Sequence, residues 1–310
     1  MHSKLKIKYI AIVGLGLIGG SLAKALKQKD YKIIGIDSSY KTISSAIKGN
    51  TIDCGFTKLS PNTLLRADLV FLATPLNLIG KYIKQIGKFV KHDLILADLG
   101  STKLEICKIA KEVLPANIVF IGGHPMAGSE KFGFEVSDKK LFKNSVWALT
   151  PIDKNNKTKQ ALKLLEILID KIEGRSIVVT PELHDKAVAL ISHLPLLSAI
   201  ALCKLVEKVK DKKLQKLALL LASTGFKDTT RIAGGNFNLN ADIISSNFSE
   251  LEKLIPKYIV VLKDLIEKVS CSDPKLLKEF KNISSWRNKL YLRSEKLRGL
   301  PRGIEQANSN

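Results

Sequence analysis

The first residues that could do chemistry are Gly14-Leu15-Gly16-Leu17-Ile18-Gly19, directly after the β-branched run Tyr9–Val13. In such a turn the first glycine permits a tight bend, the second lets backbone approach a pyrophosphate, and the third lets helix and strand pack closely. The helix that follows offers unpaired N–H groups and a partial positive charge to phosphate. An acid is required about 20 residues on, to hold a ribose diol. Asp37 stands 21 residues after Gly16, at the end of the next apolar run. Its carboxylate would accept from a 2′-hydroxyl and repel a 2′-phosphate, and Ser38 and Ser39 follow it with no arginine, although Lys41 is near. The motif therefore predicts NAD, with NADP as the possible alternative.

Four more segments place polar groups at strand ends or on apolar helices. They are Ala97-Asp98-Leu99-Gly100-Ser101-Thr102-Lys103, Gly122-Gly123-His124-Pro125-Met126-Ala127-Gly128-Ser129-Glu130, Ile191-Ser192-His193-Leu194-Pro195 and Asp228-Thr229-Thr230-Arg231-Ile232-Ala233. The first two follow expected strands at their carboxyl ends, where open α/β sheets bind ligands. The other two fall on helices of the second half, so a cleft between the halves would gather all four.

The elements that must position these groups are readable from periodicity. Residues up to about 180 alternate strand-like and helical runs, the signature of a parallel sheet covered by helices. Expected strands are Tyr9–Val13, Lys32–Ile36, Leu69–Leu72, Leu94–Ala97, Ile118–Ile121, Val146–Leu149 and Ser176–Val179; expected helices include Ile18–Lys29, Leu104–Leu114 and Lys159–Ile172. Beyond Thr180-Pro181 strand signals fade and a 3.6-residue apolar period takes over, as in Leu214, Leu217 and Leu221. The expected fold is α/β: a Rossmann-type nucleotide-binding domain over residues 1–182, followed by an all-helical substrate and dimerisation domain over 183–310. Stripes this apolar predict burial against a second subunit, giving a homodimer.

Composition narrows the function classes. The net charge is +21, but the lysines are spread along the chain and aromatics are 6%, so solvated helix faces explain the charge better than a nucleic-acid groove. Neither a nucleic-acid nor a membrane partner is expected, since no window approaches the ~18 uninterrupted apolar residues of a membrane span. Cys54, Cys107, Cys203 and Cys271 lie far apart without a C-x-x-C pair, which predicts no metal site and fits a reducing, cytoplasmic location.

With its G-G-H-P-M-A-G, S-H-L-P and D-T-T-R segments in that order, the chain resembles the prephenate/arogenate dehydrogenase family from Ile10 to about residue 247. That resemblance implies oxidative decarboxylation of prephenate or arogenate on the route to tyrosine. His124 matches the family's base, and a neutral imidazole with a reference pKa of about 6.5 suits the task. Ser101 matches a family position that hydrogen-bonds the imidazole or the substrate hydroxyl. Arg231 matches the substrate-binding arginine, whose planar fork suits a carboxylate. His193, Ser129 and Glu130 are further expected substrate contacts, and Thr74, Pro75 and Lys103 complete the expected cofactor contacts. His184 reads as structural or surface. Departures are Leu196 and Lys227, where many relatives carry histidine and arginine, and the segment Phe237–Asn240. The alternative reading is a 3-hydroxyacid or 6-phosphogluconate-type dehydrogenase, whose G-x-x-x-N-x-x-K pattern does not occur after residue 181.

Overall fold

The structure is a computed structural model that describes residues 7–29, 31–128, 131–271 and 273–299. They fall into two compact units that divide between Phe248 and Ser249.

The first unit is built on one eight-stranded sheet: β1 (Tyr9–Val13), β2 (Lys32–Ile36), β3 (Cys54–Phe56), β4 (Leu69–Leu72), β5 (Leu94–Asp98), β6 (Ile118–Pro125), β7 (Val146–Pro151) and β8 (Arg175–Val178). Their order is β3-β2-β1-β4-β5-β6-β7-β8. Six strands run parallel; β7 is antiparallel to β6, and β8 is parallel to β7. The helices among the strands are α1 (Leu17–Lys27), α2 (Tyr40–Lys48), α3 (Pro61–Leu64), α4 (Leu76–Phe89), α5 (Leu104–Val113) and α6 (Asn156–Lys171). Because side chains alternate along a strand, β1 feeds two cores. Ile10 and Ile12 pack with Leu22, Leu26 and Trp147 on one face. Ala11 and Val13 pack with Val70, Leu72, Ile79 and Ile83 on the other.

After β8 the unit is helical, as expected: α7 (Pro181–Val188), a π-turn (Ala189–His193), α8 (Leu194–Glu207), α9 (Lys212–Leu221), α10 (Thr224–Thr230), a 3₁₀ turn (Arg231–Gly234) and α11 (Phe237–Ser246). Thr180 starts this half by accepting the N–H of Leu183, with Pro181 in the first turn, the arrangement a helix N-terminus favours. The stretch Pro181–Glu207 is long and apolar enough, by length and composition, to cross a bilayer. Yet His184, Asp185 and His193 on it are buried in hydrogen bonds within the sheet-bearing unit. The second unit, taken by itself, consists of α12 (Phe248–Ser270) from Ser249 onward and α13 (Lys275–Gly299).

Three details differ from the sequence expectation. The short strand β3 adds to the edge of the sheet. The β7 strand runs antiparallel to β6, and the described residues between them, 126–128 and 131–145, hold no crossover helix. Most consequential for the site, β6 continues through Gly122-Gly123-His124-Pro125. His124 is a strand residue in register with Ala148, where a loop position after the strand was expected.

Candidate active site

The glycine turn has the form its spacing predicts. Gly14 has φ of +91°, and a Cβ there would lie 2.6 Å from the carbonyl oxygen of Ala73, so no other residue fits without shifting β4. A Cβ on Gly19 would lie 1.9 Å from the Gly14 carbonyl oxygen, whereas one on Gly16 would meet nothing within 4 Å. Gly16 therefore borders open space at the N-terminus of α1, and no side chain caps that terminus. Leu17 and Ile18 form its first turn. Asp37 closes the other side: its two carboxylate oxygens accept N–H groups from Leu15 at 2.8 Å and Ser39 at 2.9 Å. Carboxylate oxygens have lone pairs beyond these two bonds, which suits a ribose diol. Thr74 and Pro75 follow β4, and the Thr74 hydroxyl is buried without a hydrogen-bond partner, a condition a bound polar group would relieve. Cradle, acid and orphaned hydroxyl thus fit a dinucleotide.

Lys103 lies elsewhere than expected. It is wholly buried, and its ammonium pairs with Asp98 and donates to the Gly123 carbonyl oxygen at 2.8 Å, so it is committed within the protein rather than presented to a cofactor. Burial pushes the Asp98 carboxyl up, while Lys103 and the N–H groups of Gly100 and Gly123 oppose the push. This pair bolts the end of β5 to β6 one residue before His124. Gly123 has to be glycine, since a Cβ would sit 2.6 Å from the Asp98 carbonyl oxygen.

His124 is half-buried. Its Nδ1 lies 2.9 Å from Nε2 of His184, with the rings edge to face. His184 Nδ1 lies 2.7 Å from Asp185. Both of these α7 residues are buried. The Asp185 carboxylate also accepts the N–H groups of Lys103 and Leu104 at 2.8 and 2.9 Å, capping α5 from another element. Burial lowers the His124 pKa well below 6.5, and the Lys103 ammonium lowers it further. A neutral ring is the state in which an imidazole accepts a proton.

The register Ala97↔Ile121 brings Ser101 and His124 to the same end of neighbouring strands. His193 is 1% exposed; its Nδ1 meets the Asn247 amide at 3.0 Å, and that amide donates to the Asp185 carbonyl oxygen at 2.8 Å. Burial lowers the His193 pKa to about 4. It is therefore a satisfied interior histidine tied to the His184–Asp185 segment. Arg231 is exposed at the start of the 3₁₀ turn. It lines a groove of about 630 Å³ with Ile200, Cys203, Lys204, Lys227 and Thr230. Ser129 and Glu130 lie outside the described residues.

Sequence reasoning missed His184, Asp185 and Asn247. A signal for the first two was present: His184, Asp185 and Val188 share the buried stripe of α7, and polar residues on a buried stripe need partners.

Two family models match the chain: "Prephenate dehydrogenase, nucleotide-binding domain" over residues 22–178 and "Prephenate dehydrogenase, dimerization domain" over residues 180–282. A prephenate dehydrogenase of Bacillus subtilis (strain 168) is 32% identical over 92% of this chain and 77% of its own length. The crystal structure of Synechocystis arogenate dehydrogenase has a TM-score of 0.79 at 32% identity, covering 91% of this chain and 99% of that one. The structure of prephenate dehydrogenase from A. aeolicus, in complex with hydroxyphenyl propionate and NAD+, has a TM-score of 0.84 at 30% identity, covering 92% and 99%.

Proposed function

Because this chain belongs to the prephenate dehydrogenase family, we propose that it oxidatively decarboxylates a cyclohexadienyl substrate, prephenate or arogenate, with NAD, in tyrosine biosynthesis. Family membership sets aside the 3-hydroxyacid alternative. The observation that carries the reading is the half-buried imidazole of His124 at the end of β6, lowered in pKa and held by a second ring.

His124 takes the proton of the ring hydroxyl as the carbon beneath it is oxidised. Bound NAD supplies the acceptor for the hydride leaving that carbon. Loss of CO₂ makes the ring aromatic, and the imidazolium returns the proton to the phenolate oxygen, so the base is regenerated. Ser101 hydrogen-bonds the substrate hydroxyl. Arg231 holds a substrate carboxylate, Ser129 and Glu130 are further substrate contacts, and His193 supports the His184–Asp185 segment from the interior. Gly14, Gly16, Leu17, Ile18 and Gly19 cradle the pyrophosphate, Asp37 takes the ribose, and Thr74 and Pro75 border the cofactor between them.

We assign cofactor binding to residues 1–182 and substrate binding with dimerisation to 183–310, a division supported by the meeting of the two matched stretches at residues 178 and 180. A homodimer is supported by apolar side chains left exposed on the helical half, among them Leu205, Leu220 and Phe237. Four cysteines without disulfides support a cytoplasmic location. Steady-state kinetics on the purified protein with prephenate and arogenate, each with NAD, test the proposal. Formation of NADH with release of CO₂ from at least one is expected; failure of both would overturn it.

A further inference from the structure

We propose that His184 and Asp185 are positioning residues that fix which ring nitrogen of His124 acts as the base. The inference rests on the reading of His124 above, and goes beyond it by assigning a tautomer and the residues that impose it.

A carboxylate can only accept, so Asp185, 2.7 Å from His184 Nδ1, requires the hydrogen on that nitrogen. In the proposed arrangement that hydrogen is the only one on the His184 ring, so its Nε2 carries a lone pair. That atom lies 2.9 Å from His124 Nδ1, and one of two facing nitrogens must donate, so His124 is protonated at Nδ1. Its Nε2 is left bare and becomes the nitrogen that receives the substrate's proton. Once His124 is charged, both of its nitrogens donate and the bond to His184 is retained, so the same arrangement serves before and after proton transfer. Without the acceptor on His184, a neutral imidazole would be free to carry its hydrogen on Nε2, where it cannot act as a base.

The Asp185 carboxylate is itself immobilised. It accepts N–H groups of Lys103 and Leu104 at the start of α5, while Asn247 holds the backbone of the same residue. The orientation of the base is thus set by the docking of α7 against the N-terminus of α5. Partners beyond the reacting group typically change activity by about 10–100-fold in metal sites, and loss of tautomer control in a hydrolase triad costs about 10⁴.

The direct test is ¹⁵N–¹H correlation NMR of the histidine rings in the full-length protein. In the wild type, His124 is expected as the Nδ1–H tautomer; an Nε2–H tautomer would overturn the inference even if the enzyme is fully active. Two variants extend it. His184→Leu removes the acceptor and is expected to lower kcat about 100-fold with little change in the Kd for NAD. His184→Gln places an amide oxygen where it can accept from His124 and should recover most of that loss. Equal losses in the two variants, or none in His184→Leu, would overturn the positioning role. Absence of wild-type turnover would instead remove the functional reading beneath it, so the two failures are distinguishable.

Discussion

Nδ1 of His124 on β6 stands 2.9 Å from Nε2 of His184 on α7, joining the end of β6 to the first helix after the sheet. That contact makes the base dependent on an element about 60 residues away in sequence, and on the carboxylate of Asp185 behind it.

The pH dependence of turnover follows from His124. Burial, with the neighbouring ammonium of Lys103, lowers its pKa well below 6.5. A base with a lowered pKa stays neutral, and active, at any pH above that value. On lowering the pH from neutrality, kcat/KM should stay level through pH 6.5 and fall only well below it. An acid limb centred at or above 6.5 would show that a different group controls the rate.

His193 predicts a stability slope. Its folded pKa is about 4 against 6.5, so the unfolded chain binds the proton more readily than the folded one. The contribution is complete above 6.5 and is lost as pH falls toward 4, reaching about 3 kcal/mol. Urea melts across that range should show the loss. In His193→Gln, that part of the slope should vanish.

The Asp98–Lys103 pair is fully buried. Lys103→Met leaves an unpaired carboxylate in the interior and should cost about 3–5 kcal/mol, with NAD affinity retained in whatever fraction folds. Adding Asp98→Asn should restore much of the stability, because the isolated charge is gone. Thermal denaturation of the single and double variants decides the matter.

Asp37 should set the cofactor. Hydrogen bonds to a charged group are worth roughly 1.5–3 kcal/mol, so Asp37→Ser should reduce the ratio of kcat/KM for NAD over NADP by about tenfold or more. A wild-type preference for NADP would refute the assignment of this carboxylate.

Much of the sheet was legible because its central strands, β1, β4 and β5, are apolar runs buried on both faces, and Gly14 and Asp37 were legible because a glycine turn and its acid keep a fixed spacing. The limits have physical causes. The extension of β6 through Gly122-Gly123-His124-Pro125 escaped notice because glycine and proline weaken any strand signal, while here the close approach of Asp98 and Thr150 demands glycine. The role of Lys103 was misplaced, since one buried cation on a mostly lysine-rich surface looks like all the others. His184 read as structural or surface because its partner lies 60 residues upstream, a distance no local pattern reports.

The most direct measurement is the activity of His124→Asn beside its affinity for NAD. Asparagine keeps a polar side chain of similar reach but cannot accept a proton near neutral pH. The account predicts a fall in kcat of about 10²–10⁴-fold with the Kd for NAD essentially unchanged. Turnover close to that of the wild type would contradict it.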